Sequence, residues 1–213
     1  MTEDIKDIIK NRILDKAKYE FAKHGYSKVK TESLAVDSGI SKRTLYENFP
    51  SKEILLSEII DSELKHVKEH LESVVKKINE PDADFVRVLK ALWNIMSISS
   101  STFTKEFFED LKKYAPAQWA KIESFRVEQI KSNFTKLHSF GVKKGYIKSN
   151  IDKDVFYLIF HYSFNNILIP EIVCELHVST KEAMENIIDV LLTGSLTDKG
   201  RSEYIDNKKL KTG

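Results

Sequence analysis

The sequence predicts an all-α fold of about nine helices: a three-helix N-terminal helix-turn-helix unit, then a C-terminal helical bundle. Three observations carry this. Apolar residues recur at three- and four-residue spacing in almost every segment, and no segment keeps the two-residue alternation of a strand. Gly and Pro are sparse, 7 and 4 in 213 residues, and most mark the ends of periodic stretches. Ser, Thr and Asp stand at the starts of several stretches, where a side-chain oxygen can satisfy free backbone N–H groups.

In chain order, Ile5, Ile9, Ile13, Ala17 and Phe21 give the first helix one apolar stripe, and Gly25 supplies its stop. Thr31 is placed to cap a short second helix carrying Leu34 and Ala35 and ending at Gly39. Ser41 caps the third, with Ile40 and Leu45 positioned as a hydrophobic staple, and Pro50-Ser51 breaks it and caps the fourth. The fourth helix stays apolar on one face from Leu56 to Ile78 and stops at Pro81, a length that suits a bridge between two domains. Phe85 to Met96 form the fifth, followed by the polar run Ser97–Thr102. Phe103–Tyr114 form the sixth, and Pro116 opens a long seventh that ends near Gly145. Asp152 caps an eighth that is unusually apolar from Val155 to Ile169, with Pro170 at its end. Ser179 and Glu182 read as a capping box for a ninth, which Gly194 closes. The expected domains are 1–51 for the helix-turn-helix, 52–80 for the bridging helix, 81–196 for the bundle and 197–213 for a flexible, polar tail.

Composition narrows the class. The chain is 41% hydrophobic and 31% charged, as in globular proteins rather than disordered ones. One cysteine, Cys174, cannot form an internal disulfide, and the first ten residues do not resemble a signal peptide, so a cytoplasmic location is expected. The longest near-apolar stretch, Val155–Phe164, falls well short of the roughly 20 residues a membrane span requires. Net charge is +2, and all of it lies in residues 1–55, which hold 11 Lys/Arg against 9 Asp/Glu. The local cluster Lys28, Lys30, Lys42, Arg43 and Lys52 is the stronger signal for a polyanionic partner.

Two short helices joined by a tight turn at Gly39 describe a helix-turn-helix over residues 31–49. Leu34, Ala35, Ile40, Leu45 and Phe49 supply its small core, which leaves Lys42, Arg43, Thr44, Tyr46, Glu47 and Asn48 on the outer face of the second helix. Donors there can reach base edges and phosphates in a major groove. Lys52, in the first turn of the fourth helix, can address a phosphate together with that helix's N-terminus.

The run Ile13-Leu14…Ala17…Phe21…Gly25-Tyr26…Thr31…Leu34-Ala35…Ser38-Gly39-Ile40-Ser41…Thr44-Leu45-Tyr46…Phe49…Ser51-Lys52-Glu53…Leu55 resembles the N-terminal signature of TetR-type repressors. Gly141…Gly145-Tyr146-Ile147…Ile151-Asp152 is similar to that family's junction before its eighth helix. The resemblance implies a nine-helix homodimer that binds double-stranded DNA, a palindromic operator, through its first three helices. The remainder would hold a small-molecule effector and the dimer interface. It also implies phosphate contacts from Thr31, Tyr46 and Lys52, and base or near-base contacts from Lys42, Arg43, Thr44, Glu47 and Asn48. Arg43 departs from the small residue usual at its position, so operator preference does not carry over.

Other constellations are weaker. His66 and His70 have metal-ligand spacing without a convergent third ligand, and read as surface histidines. There is no phosphate loop, nucleophile elbow, HExxH or cysteine pair, so neither an enzyme nor a metal or cofactor is expected. Polar groups within the apolar second half suggest a ligand cavity: His161 and Asn165 four apart on the eighth helix, and Gln129 on the seventh, with Trp93, Met96, Phe107 and Phe125 as apolar walls. Satisfied core residues would give the same pattern. The apolar eighth helix, with the ninth, is the expected dimer surface. The combined reading is a repressor released by a small apolar or amphipathic ligand. The alternatives are a ligand-independent DNA-binding factor and a helical small-molecule binder.

Overall fold

A computed structural model of the chain describes residues 3–80, 82–101, 103–163 and 180–209. They form α1 (Glu3–His24), α2 (Thr31–Asp37), α3 (Lys42–Asn48), α4 (Lys52–Lys76) with a 3₁₀ turn at Lys77–Asn79, and α5 (Phe85–Ser101). These are followed by α6 (Lys105–Tyr114), α7 (Pro116–Lys143), α8 (Lys153–Tyr162), α9 (Thr180–Ser195) and α10 (Asp198–Lys209). Among the described residues the only strand-like pairing is one antiparallel bridge between Ile147 and Leu196. The all-α class is the one predicted. Asn165, Pro170, Cys174 and Ser179 lie outside the described residues.

Several predicted boundaries follow from local chemistry. Gly25, Gly39 and Gly145 end α1, α2 and α7 at φ of +83°, +64° and +75°, a region that other L residues enter only with strain. Ser41 Oγ accepts from the Thr44 amide at 3.0 Å, Ser51 Oγ from the Ile54 amide at 3.2 Å, and Asp152 Oδ1 from the amides of Asp154 and Val155.

Three expectations are corrected. Thr31 is not a cap: Lys30 takes the extended cap conformation with no side-chain bond, so Thr31 becomes the first helical residue. The polar run after Met96 does not end the fifth helix, which continues through Ser101; serine only mildly disfavours a helix interior. The flexible tail is instead the helix α10. Thr197 caps it, accepting from the Gly200 amide at 3.2 Å while donating to the Gly145 carbonyl at 2.7 Å. Leu196 is fully buried just before it, and Tyr204 Oη donates to Asp189 on α9 at 2.6 Å. Tethers from so few residues leave no periodic stripe to read.

The helices form two compact units. The first comprises Met1–Leu71 and Trp93–Val127, so α6 belongs with α1–α3. Its core joins Ile13, Ala17 and Phe21 of α1, Leu34 and Ala35 of α2, and Leu45 of α3 to Leu56 and Ile60 of α4. Phe107 and Leu111 of α6 complete the same core. The second comprises Glu72–Leu92 and Glu128–Gly213, around Phe85, Val86, Phe140, Tyr146, Ile147, Leu192 and Leu196. Phe85 stacks on Tyr146 at 5.4 Å between ring centroids, and Gly141 lets Ile147 and Phe85 approach where any Cβ would collide. The units are drawn differently from the sequence segments 1–51, 52–80 and 81–196, because a residue's burial partners are distant in sequence.

Leu111 is fully buried on α6 within the first unit. Leu111→Ala is therefore expected to destabilise that unit by about 2–5 kcal/mol, from lost burial and the cavity left behind. Urea unfolding followed by far-ultraviolet circular dichroism measures it. An unchanged midpoint would detach α6 from the first unit's core.

A second prediction concerns pH. His138 on α7 is buried against Phe134 and Phe156, and its Nε2 has no hydrogen-bond partner. Burial first, and the Lys153 cation second, hold its pKa below 6.5. The unfolded chain then binds this proton more readily than the folded one. The resulting stability is intact above pH 6.5 and is lost as pH falls through the lower folded value. His138→Phe is expected to flatten stability across the mildly acidic range; thermal melts of both proteins at several pH values in that range test this.

Candidate nucleic-acid interface

The site is built on two helices of seven residues each, too short to persist alone. Leu34, Ala35, Leu45 and Phe49 are at most 2% exposed and anchor both helices in the first unit's core. The turn between them is closed by backbone bonds from Gly39 to Val36 and from Ile40 to Ala35, at 2.9 and 3.0 Å. With the inner faces so fixed, Lys42, Arg43, Tyr46 and Glu47 of α3 project outward.

Thr44 and Asn48, predicted on the same outer face, are half-buried. The Thr44 hydroxyl is shared with Ser41 at 2.9 Å, and the Asn48 amide donates to the Thr44 carbonyl at 2.8 Å. Thr31 and Tyr46 are brought together: their hydroxyls lie 3.0 Å apart, so two groups from different helices present one paired donor surface. One hydroxyl gives its proton to the other, so the pair as it stands offers one free O–H to a phosphate oxygen.

The cations at the start of α3 are each held by a carboxylate. Lys42 Nζ donates to Glu32 of α2 at 2.7 Å, and Arg43 Nε to Glu47 at 2.8 Å. The hydrogen bond from Lys42 holds the Glu32 carboxyl below the usual range, and the same bond raises Lys42. Arg43 is raised by its bond to Glu47. Glu32 was not among the residues read from sequence as part of this face. It lies ten positions from Lys42, a spacing with no helical meaning, and only the fold across the Gly39 turn joins them.

Lys52 is positioned differently from the sequence expectation. Its ammonium is half-buried, donates to the Tyr26 carbonyl, and sits 4.3 Å from the centre of the Tyr26 ring and 5.8 Å from that of Phe21. Burial pushes its pKa down. Burial and the neighbouring Glu53 carboxylate push the Tyr26 phenol up to about 12. On the other side of this loop, Asp110 of α6 accepts from the Ser27 amide at 2.7 Å. Asp110 also fills the space a Cβ at Gly25 would need. Sequence reading missed Asp110, since no motif connects it to a loop 83 residues away.

The ligand candidates are divided between the units. Phe107 is 1% exposed in the first unit's core, stacked on Phe103 at 4.3 Å, and Phe125 is half-buried in the same unit. Gln129 and His161 belong to the second, both half-buried, with the Tyr157 hydroxyl 3.4 Å from His161 Nδ1. The side chains of Trp93 and Met96, and all of Asn165, lie outside the described residues. His66 and His70 are exposed, and among the described residues no three His, Cys, Asp or Glu side chains group to hold a metal. No described helix is long and apolar enough to cross a membrane.

Residues 13–59 match the family model of bacterial regulatory proteins, tetR family, a span that contains every residue of the α2–α3 face. The chain is 25% identical over 167 residues to an uncharacterized HTH-type transcriptional regulator, YvaF, of Bacillus subtilis, covering 78% of this chain and 85% of that one. Its fold is similar to that of a TetR-family transcriptional regulator from Marinobacter aquaeolei, with a TM-score of 0.70, 16% identity and 98% of each chain covered. It is also similar to the fatty acid degradation regulator FadR from Bacillus halodurans, with a TM-score of 0.58, 20% identity, and 87% and 95% covered. A helix-turn-helix core carrying outward cations and paired hydroxyls therefore coincides with the segment that matches the tetR family of bacterial regulatory proteins, on a chain similar over most of its length to an HTH-type transcriptional regulator.

Proposed function

We propose that the chain is a cytoplasmic repressor that holds a palindromic operator as a homodimer and leaves it when a small apolar or amphipathic molecule binds the C-terminal region. In this reading Thr31 and Tyr46 position the α2–α3 face on phosphates, while Lys42, Arg43 and Glu47 address base edges, with Thr44 and Asn48 beside them. Lys52 acts through the Tyr26 loop that it braces. The observation that carries the reading is the α2–α3 face itself, a fixed set of donors small enough to enter a major groove.

Dimerisation is supported by α8. Val155, Leu158, Ile159 and Tyr162 fall at helical spacing along one side of it, and each is 47–56% exposed. An apolar stripe of this kind costs least when a symmetry mate covers it. An effector of apolar character is supported by the aromatic groups of the second unit. Phe134 lies within 5.2–5.6 Å of the rings of Phe156, Tyr157 and Phe160, and the Tyr157–His161 pair adds polar atoms beside them. The similar FadR structure is of a regulator of fatty acid degradation, which agrees with an effector of that character.

Two measurements test the proposal. Ile159→Glu places a charge in the α8 stripe and is expected to shift the protein from dimer toward monomer at micromolar concentration in light scattering; a wild-type monomer would overturn the dimer. For the switch, a fatty acyl chain or sterol that binds should loosen operator binding about 5- to 150-fold, a coupling of ~1–3 kcal/mol. Operator DNA must weaken binding of that molecule by the same factor. Calorimetry with and without saturating operator decides this, and equal affinities would leave a ligand-independent factor.

A further inference from the structure

On the α2–α3 face each cation of α3 is held by a carboxylate. Lys42 and Arg43 are its two outward cations, and Glu32 and Glu47 neutralise them at 2.7 and 2.8 Å. All four side chains are more than half exposed, so these are solvated pairs that open at little cost. They are nonetheless placed where DNA would lie. A phosphate approaching Lys42 or Arg43 meets a carboxylate already in its position, and displacing that carboxylate leaves an anion beside a polyanion. A matching base sequence changes the outcome. A carboxylate freed from its cation can accept from a cytosine N4 amine, while Lys or Arg donates to a guanine edge. Contact with backbone alone offers the carboxylates nothing.

From this juxtaposition we infer that Glu32 and Glu47 are specificity-determining residues that act by occupying Lys42 and Arg43 until a cognate base sequence replaces them. The inference rests on the assignment of Lys42 and Arg43 to the DNA face. It adds that their carboxylate partners lower affinity for all other DNA. Attraction that does not depend on sequence grows with each cation available to phosphate, and the logarithm of the affinity falls by about 0.9 per decade of salt for each contact. Freeing one cation should then raise non-specific affinity by about 5- to 10-fold at ~0.1 M salt.

The experiment compares the full-length parent with E32Q, E47Q, K42A, R43A and the double variants E32Q/K42A and E47Q/R43A. Binding is measured by fluorescence anisotropy, across a salt series, to a duplex selected from a random pool by the parent and to its scrambled version. E32Q and E47Q are each expected to bind the scrambled duplex about 5- to 10-fold more tightly, with a salt slope steeper by ~0.9 per protomer. The selected duplex should gain less, so the ratio between the two falls. In the K42A and R43A backgrounds the corresponding gain should vanish, because there is no cation left to release. An equal gain in those backgrounds would reduce the carboxylates to general repulsion and overturn the inference, as would no gain in the parent background. If K42A and R43A bind both duplexes as the parent does, the assignment of the face fails, and that result is distinct from loss of the inference alone.

Discussion

The contact on which the α2–α3 face depends is the burial of its inner residues in the apolar core that the N-terminal helices share. Helices of seven residues have too few internal hydrogen bonds to offset the entropy of forming them, so α2 and α3 exist because their apolar faces are buried. Leu34, Ala35, Leu45 and Phe49 share that burial with Phe21 and with Phe107 and Leu111 of α6. Residues of α6, far from the helix-turn-helix in sequence, thus complete the core in which it is anchored. The turn bonds at Gly39 and Ile40 then set α3 against α2 and bring the Thr31 hydroxyl to that of Tyr46.

Polar contacts around residues 25–28 reinforce the same arrangement. The backbone here must turn with positive φ at Gly25, and the resulting loop exposes a carbonyl and an amide that need partners. Lys52 meets the Tyr26 carbonyl from α4, and Asp110 meets the Ser27 amide from α6. Partial burial strengthens the Lys52 ammonium over its aromatic ring, and the charge on Asp110 strengthens its bond to the backbone N–H. The loop therefore ties α1 to two other helices through groups that no apolar packing could replace.

Legibility of these features in the sequence divides along physical lines. Local causes were readable: the stripe of Ile13, Ala17 and Phe21, the glycines at φ > 0, and the caps Ser41, Ser51 and Asp152 all act within four residues. Causes that depend on the finished fold were not. Thr31 looked like a cap by residue type, but the extended conformation fell one position earlier, and its hydroxyl turned to Tyr46. Lys52 looked like a free cation because nothing in its neighbourhood shows that the loop 26 positions earlier folds beneath it. The α10 helix escaped notice because Thr197, Gly200 and Tyr204 hold it through contacts to residues distant in sequence. In the candidate site the residue types were legible and their pairings were not.

Those pairings alter what the charge distribution means. A surplus of two cations in residues 1–55 is small for a surface that meets a polyanion. Part of the positive charge is further spent in internal contacts, with Lys52 over Tyr26, Lys10 on Glu58 and Lys18 on Glu63. What remains for a phosphate backbone is a modest field, including the exposed Lys28 and Lys30, supported by hydroxyls whose donation does not depend on net charge. A protein that must leave most DNA quickly benefits from this balance, since sequence-independent affinity rises with every unpaired cation while discrimination does not. Discrimination comes instead from groups that form good bonds only in one arrangement. On the proposed reading the carboxylate-bound cations of the α2–α3 face are groups of that kind, while the hydroxyl pair serves the phosphate backbone.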